Sequence, residues 1–155
     1  MFANANLLSF SIPINPVLMK TNNTNVTHLN KREFKEKIFD YSLSKEWKYK
    51  GDLPAVVDFY ADWCAPCKMV SPILNDLSIE YAGKINVYKV NTEKDPEVAK
   101  AFGVSSIPTL LFIAQTGKPT VVRGAQSRQS LKSNIERILP KEEKRFLNKL
   151  LSLKW

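Results

Sequence analysis

The run Val57-Asp58-Phe59-Tyr60-Ala61-Asp62-Trp63-Cys64-Ala65-Pro66-Cys67-Lys68 decides how this chain is read. Its first half closes a short apolar stretch, Ala55 to Tyr60, with β-branched content and no polar alternation, the pattern of a strand buried on both faces. Asp58 is an anomaly in the middle of such a strand. The second half opens a helix: from Pro66 to about Tyr81, Met69, Val70, Ile73, Leu74 and Leu77 recur at helical spacing, and Gly83 ends the run. Pro72 lies inside that helix and is expected to kink it. Two thiols three residues apart therefore stand where a strand passes into a helix. Unpaired backbone N–H groups and the helix dipole at that point stabilise a thiolate on Cys64, which makes it the expected nucleophile. Cys67, one turn further in, is expected to be the more buried and to attack a mixed disulfide formed by Cys64. Pro66 fits the first helical turn, where a missing N–H breaks no ladder, so a tight ring closes easily.

Other chemistries for a cysteine pair have less to work with. A structural zinc site takes four ligands, whereas the chain has two cysteines and one histidine, His28, in a polar segment far along the chain. No metal site is expected. A structural disulfide would constrain little of the unfolded chain when it closes so small a loop; chance spacing is the remaining reading. Two cysteines in one four-residue window also exclude the multi-bridge framework that staples small secreted folds.

Working outward, Asn30 followed by Glu33 reads as an N-cap with a carboxylate reaching back, and Phe34, Ile38 and Phe39 share one helical face, predicting a helix over about 31–41. An irregular stretch with Trp47, Tyr49 and Gly51 leads to Pro54. Beyond the second helix, residues 85–91 alternate as a strand. Asp95 and Pro96 then open a helix ending near Phe102 and Gly103. Thr109 to Ile113 and a strand holding Val121 and Val122 flank the turn at Thr116 and Gly117, predicting an antiparallel hairpin. Ser127 caps a helix carrying Leu131, Ile135, Ile138 and Leu139, and Pro140 interrupts it. The order helix, strand, helix, strand, helix, strand, strand, helix predicts an α/β domain with a central mixed β-sheet flanked by helices on both faces.

At 155 residues and 44% hydrophobic, the chain suits one core. Residues 1–29 are expected as a flexible N-terminal leader, 30–139 as the domain, and 140–155 as a basic helical extension with Phe146, Leu147, Leu150 and Leu151 on one face. The +8 formal charge gives no nucleic-acid signal once divided. Residues 53–126 hold seven basic and seven acidic side chains, whereas 127–155 hold eight and three, placing the excess in the C-terminal helices. Met1 to Met19 is apolar but has no Lys or Arg and is broken by Pro13 and Pro16, a poor signal peptide and too interrupted for a transmembrane segment. A start at Met19 is an equal reading. A cytoplasmic location is expected from the uncharged leader; a periplasmic one follows if the leader is a signal.

The quoted run, with Pro72, Lys89, the Ile107-Pro108-Thr109 step and Gly124, resembles the thioredoxin family in order and spacing over about residues 30–139, in the bacterial form with a Trp-Cys-Ala-Pro-Cys site. The resemblance implies the thioredoxin fold and a protein disulfide reductase cycling a Cys64/Cys67 dithiol and disulfide. It implies that Asp58 is a buried proton acceptor for Cys67 and that Lys89 modulates its charge. It implies a cis bond at Ile107-Pro108, backbone pairing of Ile107 with an extended substrate, and a shallow rim in which Trp63, Ala65, Pro66, Gly124 and Ala125 receive the substrate. Bland readings stand beside these: Asp58 paired for structure, Lys89 as a solvated lysine, Pro108 as an ordinary trans proline, Trp63 as core packing. The implied partners are disulfide-containing substrate proteins and an NADPH-dependent thioredoxin reductase; the redox-active disulfide is the working group with no bound cofactor, and a monomer is expected. Ala65 departs from the glycine usual at that place, which bears on redox potential. An exported disulfide oxidase or isomerase of the same fold, or a non-catalytic binding module, are the alternative functions.

Overall fold

The computed structural model describes residues 24–153. In chain order it contains β1 (Val26–His28), α1 (Lys31–Lys37), β2 (Ala55–Tyr60), α2 (Ala65–Glu80), β3 (Asn86–Asn91), α3 (Pro96–Ala101), β4 (Thr109–Ile113), β5 (Thr120–Arg123), α4 (Arg128–Ile138) and α5 (Lys141–Ser152). The five strands form one sheet in the order β1-β3-β2-β4-β5. β1, β3 and β2 run parallel, and β4 and β5 are antiparallel to their neighbours.

Strand periodicity sorts the core into two layers. Ala55, Val57 and Phe59 of β2, with Leu111 and Ile113 of β4, pack with Phe34 and Ile38 at α1 and Val98 of α3. Val56, Leu110 and Phe112 point the other way, against Val70, Leu74 and Leu77 of α2 and Leu131 and Ile135 of α4. Asp58 lies two residues after Val56 on the same face of β2, so it too faces α2. A fully buried side chain such as Phe59 contributes roughly 2–3 kcal/mol through apolar burial.

The helix ends follow the local chemistry. Asn30 and Glu33 form a reciprocal capping box at α1. Ser127 accepts the Ser130 amide at α4. Asp95 is the N-cap residue of α3, but its side chain makes no capping hydrogen bond; its carboxylate instead accepts the Lys31 amide at 2.8 Å and ties α1 to α3. α2 is a single helix through Pro72, and α1 ends four residues short of the expected boundary, at Lys37.

One expectation is corrected. The stretch assigned to a leader through residue 29 supplies β1, paired with β3 from Val26↔Val87 to His28↔Lys89, and Leu29 is buried. A three-residue edge strand with one half-buried member carries no hydrophobic pattern of its own. Residues 1–23, on which the signal-peptide reading and the start at Met19 bear, lie outside the described residues. α5 has no fully buried residue, but Leu147 packs on the α2/α4 layer and Lys84 pairs with Glu143 at 3.3 Å while lying over the Phe146 ring.

Candidate active site

Cys64 and Cys67 are joined in a disulfide at the start of α2, their Cα atoms 5.3 Å apart. Cys64 is itself the N-cap: its backbone is extended and its Sγ accepts the Cys67 amide at 3.3 Å. Pro66 occupies the first turn, where its missing N–H costs no helical bond. Ala61 gives its carbonyl to the Cys64 amide at 3.2 Å, fixing the turn between β2 and the cysteines. The expected difference in burial between the sulfur-bearing residues is absent; each is 2% exposed. They differ in where they open. Cys64 lies in a groove of about 520 Å³ with Trp63, Ala65, Pro66, Val104, Ser106 and Ile107, whereas Cys67 borders a smaller cleft of about 200 Å³ with Tyr60, Ser71 and Lys89.

The groove is more apolar than polar, with Trp63 as its largest wall. That indole is 67% exposed and donates to Glu93 Oε1 at 2.7 Å, so Trp63 is a surface plate held upright and not core packing. Ile107 and Pro108 are joined by a cis peptide bond. Pro108 is buried behind Ile107, and its carbonyl accepts the Gly124 amide at 2.8 Å. Gly124 has φ +84°, a conformation that favours glycine, where the chain leaves β5. Gly124 and Ala125 stand next to the Pro108 backbone and do not line the groove itself.

Asp58 of β2 is fully buried, neither carboxylate oxygen has a hydrogen-bond partner, and it is linked to the cleft that Cys67 borders through Lys89, which lines that cleft. Desolvation pushes its pKa up to about 6, against an opposing pull from Lys89. Lys89 sits opposite Asp58 in the β2/β3 register, and its Nζ lies 3.7 Å from Asp58 Oδ2. The same ammonium donates to Ser71 Oγ at 2.7 Å and lies 4.3 Å from the Tyr60 ring centre. Lys89 is thus a buried partner and not a solvated strand lysine. His28, far from the cysteines in sequence, reaches this neighbourhood through Tyr60, whose hydroxyl is 3.2 Å from His28 Nδ1. Burial and the nearby Lys89 and Lys94 lower the His28 pKa.

Sequence reasoning missed Ser71, Glu93 and the role of Tyr60 as a wall. Ser71 had one available signal: four residues after Cys67, it shares that residue's helix face. Glu93 carried none, since its contact with Trp63 depends on the loop after β3. Among the described residues no group of three or more His, Cys, Asp or Glu side chains could hold a metal ion, and no helix is long and apolar enough to cross a membrane.

A reducible sulfur pair at a helix start, an exposed aromatic plate beside it and a buried unpaired carboxylate joined to the Cys67 cleft through Lys89 can together capture a disulfide and move one proton. Comparison with known proteins agrees. A family model described as Thioredoxin matches residues 25–137. The thioredoxin of Borreliella burgdorferi is 51% identical over 96 residues, covering 62% of this chain and 82% of that protein. Thioredoxin 1 of a Nostoc species is 41% identical over 98 residues, covering 63% and 92%. The chloroplastic M-type thioredoxin of Spinacia oleracea is 40% identical over 95 residues, covering 61% of this chain and 52% of its own length.

Proposed function

The chain belongs to the thioredoxin family and is a protein disulfide reductase, and on that premise we propose how its residues share the work. The reduced protein presents Cys64 as a thiolate, favoured by the amides and dipole at the start of α2. Its sulfur attacks one sulfur of a substrate disulfide, forming a mixed disulfide and expelling the other substrate sulfur as a thiolate, which takes up a proton. Cys67 then yields its proton to the Asp58 carboxylate and attacks Cys64 Sγ. The second substrate sulfur leaves, and the Cys64–Cys67 disulfide closes. Two electrons have passed to the substrate, and the protein holds the oxidised pair.

A proton acceptor works best with a pKa near the working pH, and a carboxylate at about 6 is ionised at pH 7 yet far more basic than an exposed aspartate. Lys89 keeps the ionised form accessible by its charge. Trp63, Ala65, Pro66 and Ile107 form the surface on which an extended substrate segment lies, and the Ile107 backbone pairs with it as an added strand would. Gly124 and Ala125 stay small so that a protein surface can approach the Pro108 side.

The protein acts as a monomer, and its disulfide is the only redox group it needs. It is recharged by an NADPH-dependent thioredoxin reductase. The observation that carries the mechanism is the disulfide at the α2 N-terminus with Cys64 facing the groove. Insulin reduction is the test, driven first by dithiothreitol and then by thioredoxin reductase with NADPH. Cys64→Ser is expected to abolish both, and Cys67→Ser to accumulate a substrate-linked mixed disulfide visible on a non-reducing gel. Trapping through Cys67 in place of Cys64 would reverse the assignment of the two sulfurs.

A further inference from the structure

The Lys89 ammonium stands in an unusual position. A lysine charge beside a buried, bare carboxylate ordinarily closes to a short charge-assisted hydrogen bond of about 2.7–2.9 Å. Here the gap is 3.7 Å, and both Asp58 oxygens remain without a partner. A buried acceptor left unsatisfied is costly, so something must outcompete the closure. Two groups do: Ser71 Oγ at 2.7 Å and the Tyr60 ring at 4.3 Å.

We propose that Ser71 is a positioning residue for the exchange: its hydroxyl accepts the Lys89 hydrogen bond and holds that ammonium out of hydrogen-bond contact with Asp58. The inference rests on Asp58 serving as the proton acceptor of Cys67. Ser71 lies one turn after Cys67 on α2, and Lys89 lies opposite Asp58 on β3, so the bond ties the helix bearing the resolving sulfur to the strand bearing the charge. It spans the small cleft that Cys67 borders, with Lys68 and Asp62 at the same cleft. From β1, His28 stands opposite Lys89 in the β1/β3 register and meets the Tyr60 hydroxyl, and from β4 the residue opposite Asp58 is the apolar Leu110. Lys89 is therefore the cation whose distance from Asp58 matters, and Ser71 sets it. The tether keeps both carboxylate oxygens open for a proton while the nearby charge still favours ionisation.

The test is a titration of the Asp58 carboxyl by 13C NMR in the oxidised protein, for the parent, Ser71→Ala, Ser71→Thr, Lys89→Met and the Ser71→Ala/Lys89→Met double variant. Without the tether Lys89 is expected to close onto Asp58 and lower its midpoint by about one pH unit, a roughly tenfold change in proton affinity. Ser71→Thr, which keeps the hydroxyl, is expected to retain the parent midpoint. With Lys89→Met already present, Ser71→Ala is expected to change nothing. An unchanged or raised midpoint in Ser71→Ala, or an equal fall in the Lys89→Met background, overturns the proposal. The titration needs no substrate, so it reports on the tether even where Asp58→Asn shows that the carboxylate takes no part in turnover.

Discussion

Asp58 and Lys89 face each other in register across β2 and β3, both buried, with 3.7 Å between Nζ and Oδ2 and no hydrogen bond joining them. An ion pair at that separation recovers only part of what desolvation costs the carboxylate, as its raised pKa records. The site therefore holds a group that the fold would sooner keep protonated.

That has a consequence for stability. The folded-state pKa of about 6 lies above the ordinary carboxylate value of 3.8, so between those values the native state binds the proton that the unfolded chain releases. Stability contributed by the neutral form is present at low pH and is lost as pH rises through 6. Asp58→Asn, which cannot ionise, is expected to be more stable than the parent at pH 8 by about 3 kcal/mol and equal to it near pH 4. Urea unfolding at the two pH values measures it; a gain of the same size at both would mean that ionisation is not the cause.

Trp63 is a surface residue whose polar edge alone is engaged. Trp63→Ala is expected to change folding stability by no more than about 1 kcal/mol, while kcat/KM for insulin falls roughly tenfold through KM. A small aromatic disulfide that contacts only the sulfur should be reduced at nearly the parent rate. Parallel loss on both substrates would place Trp63 in the chemistry of Cys64.

α5 touches the domain through Leu147, the Lys84–Glu143 pair and the Lys84–Phe146 contact, and it covers a part of the layer that includes Ile138 and Leu139. Truncation after Leu139 is expected to lower unfolding free energy by about 1–3 kcal/mol. None of the groove's lining comes from α5, so insulin reduction per folded molecule should be unchanged. Chemical denaturation with activity measured at the same concentrations separates the two effects.

What was legible in the sequence follows from how local each signal is. The capping box at Asn30 and Glu33, the apolar run of β2, the hairpin turn at Gly117 and the Ser127 cap each depend on a few adjacent residues, and each is found in place. β1 was not legible, because its existence depends on β3 offering an edge to Val26–His28 and not on its own pattern. In the site, the Cys64/Cys67 pair and its helix start were visible directly. The approach of Lys89 to Asp58 came from likeness to a family, since no spacing rule joins positions 58 and 89 before the strands pair. Ser71 and Glu93 belong to a third kind: their partners are brought by β3 and the loop after it, so only the folded chain exposes them.

Cys64 opens into the groove and Cys67 onto the smaller cleft, while the ring they close spans only four residues of chain. A donor of electrons that works through Cys64 meets the entrance that its acceptors use. Donor and acceptor are then expected to take turns, and steady-state kinetics to follow a ping-pong rhythm in which an excess of one slows the arrival of the other.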